Sequence, residues 1–364
     1  MNINATLAKR DPALEEGLHA YDTEQAWMGT ELETRRNEWL LEWSKDEILE
    51  IENAVGAVET RGLDLLDIAK DDFPLELASE RISALKQDVL HGRGFVLIRG
   101  LPVDRWSDRQ SAIAFWGIGL HLGEPCPQNG KNHVIGHVKN LGLDYSDPQT
   151  RGYQTNARLH YHTDLSDIVG LLSLRASKSG GLSSIASSTA IWNVLAARRP
   201  DLARVLMAPY CQTRWGEIPE GKQPWAEAPI FMPSGKRMVA RYVRSSIQKG
   251  QDLPGVPKMT DQQVEAMDLL DEITAEEGIA LEMELRPGDI QLLCNYNVFH
   301  SRTAYEDWPE PERRRHLLRL WLACDDGPVL PESLIENYEG LTEGGRPNGI
   351  LVPGVPLSAP LDAE

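Results

Sequence analysis

Short apolar runs bounded by glycine, proline and polar clusters dominate this chain, and sustained helical periods are few. Phe95-Val96-Leu97-Ile98, set between Gly94 and Gly100, reads as a buried strand. The same signature returns at Ile168 to Ala176, Ser183 to Ser187, Arg237 to Val243, Ala280 to Leu285, Asp289 to Cys294 and Leu317 to Ala323. Helical spacing predicts helices over Leu77 to Leu90, Ser107 to Leu122 and Ser188 to Ala197, with another starting at Pro200. One more spans Thr260 to Gly278: Thr260-Asp261-Gln262-Gln263 has capping-box form, and Val264, Met267 and Leu270 share a side. Leu32, Trp39, Leu40 and Trp43 also fit one helix face. Residues 1–80 are therefore expected to form an N-terminal helical extension packed on the core. Gly123 to Arg158 is rich in turn formers, which predicts a long loop acting as a lid. Residues 326–364, rich in proline and glycine, are expected to be an extended tail. Many short strands with few helices predict a mainly β fold with α decoration, a jelly roll or barrel over residues 81–325, rather than a doubly wound parallel sheet.

Composition narrows the partners. The 364 residues are 41% hydrophobic and 25% charged, enough to bury a sizeable core. The net charge of −18 disfavours nucleic acid and anionic membranes. Cys126, Cys211, Cys294 and Cys324 are scattered without a CxxC pair, as expected of reduced thiols in a cytoplasmic protein. No apolar run suggests a signal peptide or membrane span. A soluble protein with a small-molecule partner is expected, and a homo-oligomer is left open.

The chemistry starts at His162-Thr163-Asp164. On a strand, residues two apart point to the same face, so this imidazole and carboxylate can reach one metal ion. Far downstream, a strand-like run from Gly288-Asp289 ends at His300. Two histidines and one carboxylate leaving three positions open are the ligand set of non-haem Fe(II) oxygenases. Two open positions suit the keto and carboxylate oxygens of a 2-oxo acid and the third suits O2. A dicarboxylate such as 2-oxoglutarate also needs a buried cation at its far end, for which an arginine fork is best suited. Arg315 follows His300 by 15 residues, a separation that fits one turn and a return strand. Two other readings use the same triad: a zinc-dependent hydrolase, and a non-catalytic metal-binding barrel.

Four blocks in order carry a resemblance: His162-Thr163-Asp164; Gly180-Gly181 with Ser183; Gly288-Asp289 through Asn295 to His300; and Arg314-Arg315 with Arg319. The chain resembles the taurine/2,4-dichlorophenoxyacetate dioxygenase family of Fe(II)- and 2-oxoglutarate-dependent oxygenases, over about residues 85–325. The resemblance implies a double-stranded β-helix and an enzyme that oxidises a C–H bond of a small molecule, usually by hydroxylation with desaturation or ring closure also open, releasing succinate and CO2. The position of Arg319, on the same strand face as Arg315, adds the expectation of an anionic or amino-acid-like substrate. The resemblance also implies that His162, Asp164 and His300 bind Fe(II). Arg315 and Ser183 would take the distal carboxylate of 2-oxoglutarate. Arg319 would meet substrate or an internal carboxylate. Arg158 and His160 are further candidate substrate contacts, Arg241 another for an anion. Arg302 is expected in a salt bridge, His316 in a structural role, and His133 and His137 at the surface.

Overall fold

The computed structural model describes residues 18–144, 150–218, 221–335, 338 and 340–363. Two sheets form the body. Their strands are β1 (Leu40–Glu42), β2 (Phe95–Arg99), β3 (Glu124–Cys126), β4 (Ile135–Lys139), β5 (Leu159–His162) and β6 (Ile168–Arg175). Next come β7 (Ser183–Ser187), β8 (Ala280–Met283), β9 (Ile290–Cys294), β10 (Val298–Arg302) and β11 (His316–Ala323). The major sheet runs β1-β2-β9-β6-β11-β3, with β4 also paired to β11; the minor sheet runs β8-β7-β10-β5. All pairings are antiparallel except β1 with β2.

Strand alternation sorts the layers. On β11, Leu318, Leu320 and Leu322 pack with Ile113, Phe115 and Ile118 of the helix Asp108–Leu122. Leu317, Trp321 and Ala323 face inward, where they meet Ile185, Leu281 and Val298 of the minor sheet. Ala186 and Phe299 point out of the minor sheet's other face, under the helices Ser188–Arg198 and Asp261–Thr274.

 The helix Ser188–Arg198 starts on the Ser187 hydroxyl, which accepts from Ala190 N, and Asp261–Thr274 keeps its predicted Thr260/Gln263 box. Four layers follow: helix, sheet, sheet, helix. This is the double-stranded β-helix core with helices added.

Four expectations need correction. The stretch from Leu32 to Trp43 is no continuous helix: a short helix Gly29–Glu33 ends, a 3-10 turn follows, and β1 joins the edge of the major sheet. The reason is aromatic. Trp27 and Trp39 pack on Phe95 with centroids 5.2 and 5.8 Å away, and their indoles donate to the carbonyls of Arg93 and Leu32. Burying both rings draws the segment against the sheet. Within the predicted loop Gly123–Arg158, residues 135–139 are a full strand, because β11 offers them a free edge; residues 145–149 of that loop lie outside the described part. The 326–364 tail holds a short helix, Glu332–Ile335, and folds back onto the core. Its Arg346 is bonded to buried Asp167, and Pro360 O accepts from His137. Residues 1–17 of the N-terminal extension are outside the described part.

Val264, predicted inward, is 37% exposed, while Met267 and Leu270 are buried. Among the described residues no helix is long and apolar enough to cross a membrane.

Candidate active site

Strand pairing sets the centre. His162 on β5 and His300 on β10 are direct antiparallel partners, which brings their rings to 4.2 Å between centroids. Asp164 lies just past β5 and is held by its surroundings. Its backbone N donates to Asn295 Oδ1 (2.9 Å), and the Asn295 amide donates to Ser166 O and Oγ. Thr163 N donates to the Tyr242 carbonyl, and Tyr242 N donates back to Thr163 Oγ1. The ligand atoms of His162, Asp164 and His300 lie within 4.8 Å of one another.

The local field suits a cation. Burial, with His162 alongside, pushes the His300 imidazole down to about 3, and burial also lowers His162. Both rings are therefore neutral at pH 7. His162 Nδ1 donates to the His160 carbonyl (2.9 Å), which leaves Nε2 as its lone-pair nitrogen. Burial pushes the Asp164 carboxyl up, but Arg319, both histidines and the Trp321 indole outweigh it and hold it below its usual value. Two neutral imidazoles and one carboxylate fit a divalent metal with three positions left open; a closed structural zinc site would need a fourth protein ligand.

A cavity of about 190 Å³ opens on this triad. Arg315, Leu317, Arg319 and Trp321, the inward residues of β11 and of the position just before it, form one wall, and Ser183 of β7 lies on another. Arg315 is 5% exposed, and its Nη1 is buried without a hydrogen-bond partner among the described residues. Its guanidinium lies 5.1 Å from the Tyr305 ring, while its backbone N donates to Asp307 Oδ1. Ser183 Oγ donates to Gln291 Oε1 (3.0 Å) and can still accept. A buried fork with an unused donor fits the far carboxylate of a dicarboxylate. The double glycine makes room for it. Gly180 and Gly181 have φ of 71° and 72°, and a Cβ on Gly181 would sit 3.1 Å from Arg315 Nε.

The other predicted residues divide. Arg319 is a cavity residue with an internal carboxylate partner: Nη1 lies 3.3 Å from Asp164 Oδ2, and Nε donates to Gln128 Oε1 (2.7 Å). His160 lines the cavity but is exposed at its rim. The pairing of β5 with β10 shifts register between His300 and Arg302, and this bulge breaks the same-face rule that related His160 to His162. Arg158, beyond the bulge, is exposed and is not among the cavity-lining residues, so its candidacy as a substrate contact is corrected. Arg302 lines the cavity and donates to the carbonyls of Thr155 and Ala157.

 His137, expected at the surface, is buried on β4 and hydrogen-bonded to His316. Gln128, Tyr153 and Trp215 had no signal in the sequence, because each comes from a separate loop with no motif around it. Tyr153 and Trp321 lie 4.7 and 5.0 Å from the Arg319 guanidinium.

A double-stranded β-helix with an open two-histidine, one-carboxylate centre beside a buried arginine defines a non-haem Fe(II)- and 2-oxoglutarate-dependent oxygenase. The family model for the taurine catabolism dioxygenase TauD, TfdA family matches residues 59–321, and the chain belongs to that family. FR-33289 synthase of Streptomyces rubellomurinus (strain ATCC 31215) is 31% identical over 307 residues, covering 82% of this chain and 89% of the relative. A uridine-5'-phosphate dioxygenase of Amycolatopsis sp is 30% identical over 225 residues, covering 58% of this chain and 79% of that protein. Among solved structures, asparagine oxygenase in complex with Fe(II), 2S,3S-3-hydroxyasparagine and succinate shares the fold, with a TM-score of 0.60 at 18% identity over 78% of this chain and 93% of that one. The enzyme thus uses Fe(II), 2-oxoglutarate and O2, with release of succinate and CO2, to oxidise a small molecule.

Proposed function

We propose that His162, Asp164 and His300 hold the iron, that Arg315 and Ser183 hold the distal carboxylate of 2-oxoglutarate, and that the prime substrate is a small anionic or amino-acid-like molecule hydroxylated beside Arg319. The observation that carries this is the shared cavity: triad, Arg315, Ser183 and Arg319 all line it. Iron bound there supplies oxygen activation coupled to 2-oxoglutarate decarboxylation. The chain's own residues do the rest. Asn295 and Tyr242 fix the loop that carries Asp164. Arg315 neutralises and orients the co-substrate in a site shielded from water, which holds the reacting groups at a fixed distance. Arg319 keeps Asp164 ionised and leaves a positive face toward the cavity. A relative named for uridine-5'-phosphate supports an anionic substrate.

The same reading takes residues 81–325 as the catalytic unit, with residues 1–80 and 326–364 packed on it. Four free cysteines support a cytoplasmic setting, and the −18 charge supports the absence of a nucleic-acid partner. The test is a screen of small anions against matched neutral analogues for substrate-stimulated succinate formation. Anions are expected to stimulate, and Arg319→Ala to lose that stimulation. Stimulation by neutral compounds alone, undiminished in Arg319→Ala, would make Arg319 a structural partner of Asp164 only.

A further inference from the structure

Beside the main cavity lies a smaller one of about 80 Å³, and Leu165, Trp215, Val243 and Ile350 line both. One water fills ~10–15 Å³, so the space suits a polar head group. Its wall carries Gln212, on the strand Pro209–Thr213. Gln212 is 2% exposed, and its Nε2 is buried with no hydrogen-bond partner among the described residues. Buried amide donors are nearly always satisfied, and leaving one unmet is costly. An acceptor in this cavity would meet that donor. Arg241, 8% exposed and 5.8 Å from the Tyr338 ring, adds a guanidinium to the same lining.

The shared wall is a built feature. Trp215 holds φ at 55°, which is uncommon for a residue with a side chain. Its indole has the Lys249 ammonium 4.6 Å and the Arg151 guanidinium 5.8 Å from a ring centroid. Glu217, two residues on, accepts from Arg151 Nη2 and Gly130 N, each at 2.5 Å, and so ties this turn to the neighbouring loops. Val243 bridges to His162, and Leu165 adjoins Asp164, so the small cavity flanks the triad directly.

We propose that this small cavity is an annex of the substrate site. It takes an oxygen-bearing group of the prime substrate, at the end away from the reacting C–H bond, as acceptor for Gln212 Nε2, with Trp215 between the two compartments. The role as a substrate subsite rests on the reading that the main cavity holds iron and 2-oxoglutarate. Carboxylate, phosphonate and carboxamide oxygens share the required chemistry.

Saturation-transfer NMR on the full chain tests it, with acetate, methylphosphonate and acetamide as probes. Each probe is titrated without oxygen, once with Fe(II) and 2-oxoglutarate and once with neither. At least one probe should bind saturably, with its dissociation constant raised tenfold or more in Gln212→Leu. Gln212→Glu keeps the shape if the leucine variant fails to fold. It should weaken acetate and methylphosphonate tenfold or more, while acetamide, able to donate to the new carboxylate, is retained. A response from acetamide alone identifies a neutral head group; one from the anions identifies a charged one. No saturable binding, or binding equal in wild type and both variants, overturns the annex and leaves the cavity to water. Binding that depends on Gln212 in protein lacking iron affinity and 2-oxoglutarate turnover would keep the pocket but sink the iron-site reading. Normal turnover without such binding would sink the annex alone.

Discussion

On the proposed reading, Arg315 anchors 2-oxoglutarate while the triad holds iron. Arg315→Ala leaves the far carboxylate of 2-oxoglutarate unpaired in a buried site, which should cost about 2–5 kcal/mol of co-substrate affinity. Iron binding should survive, because Arg315 is outside the three-residue ligand cluster. Titrating 2-oxoglutarate into the anaerobic Fe(II) protein, and following the metal-to-ligand charge-transfer band, checks this; unchanged affinity would mean that another cation anchors it. His162→Ala and Asp164→Ala should instead lose iron and turnover together. The sequence singled out these residues because each role demands a particular side chain. Arg319 was undecided between substrate and carboxylate, since a strand pattern gives its face but not what stands opposite. The carboxylate that stands there, Asp164, lies 155 positions away in the chain.

Among the elements, the H-x-D segment depends on the turn between β9 and β10. Asn295 in that turn is fully buried and bonds both the Asp164 amide and Ser166. Asn295→Ala should weaken iron binding about 10–100-fold, the usual effect of removing a group that orients a ligand. Anaerobic iron titration reads it, and unchanged affinity would leave the turn with a folding role only. The strands bearing the site were legible because their alternation is local. The bulge between β5 and β10 was not: it arises from how the two strands pair, and it moved His160 to the rim.

At the scale of the molecule, the tail and the helical side of the major sheet are coupled to the core through buried polar groups. Asp167 is wholly buried, and Arg346 from the tail pairs with it. Arg346→Ala should destabilise the protein by about 3–5 kcal/mol in urea unfolding, because it strands a buried charge. A loss under 1 kcal/mol, on the order of an exposed pair, would show the tail to be loosely held. On the outer face of β11, Arg175 donates to His316 Nδ1, His316 Nε2 bonds His137 Nδ1 (2.8 Å), and His137 Nε2 donates to Pro360 O. Burial, with His137 beside it, pushes His316 down to about 3, and burial lowers His137 too. Each imidazole is depressed in the folded state, so the unfolded chain takes up protons first as pH falls. The part from His316 is complete above about 6.5 and is lost toward about 3, with a slope of about 1.4 kcal/mol per pH unit, and His137 adds loss in the same direction. His316→Gln should flatten the dependence between pH 7 and 5 in urea unfolding; an unchanged slope would place the acid sensitivity elsewhere.

Periodicity and side-chain chemistry by themselves determined the strand-rich class and the triad and made Arg315 a candidate, while Ser183 was a candidate through the family resemblance. Those features depend on neighbours two to four residues away, or on a chemical role that few side chains can fill. Tertiary structure alone decided that Trp39 leads into a strand, that residues 135–139 complete the major sheet, and that Arg319 faces Asp164. It also decided that Trp215 and Ile350 line both cavities and that Gln212 lies on the smaller one. These outcomes depend on which surfaces meet after collapse. An edge left open by β11, or a buried donor that needs an acceptor, exists only once distant segments pack together, and no local pattern records it.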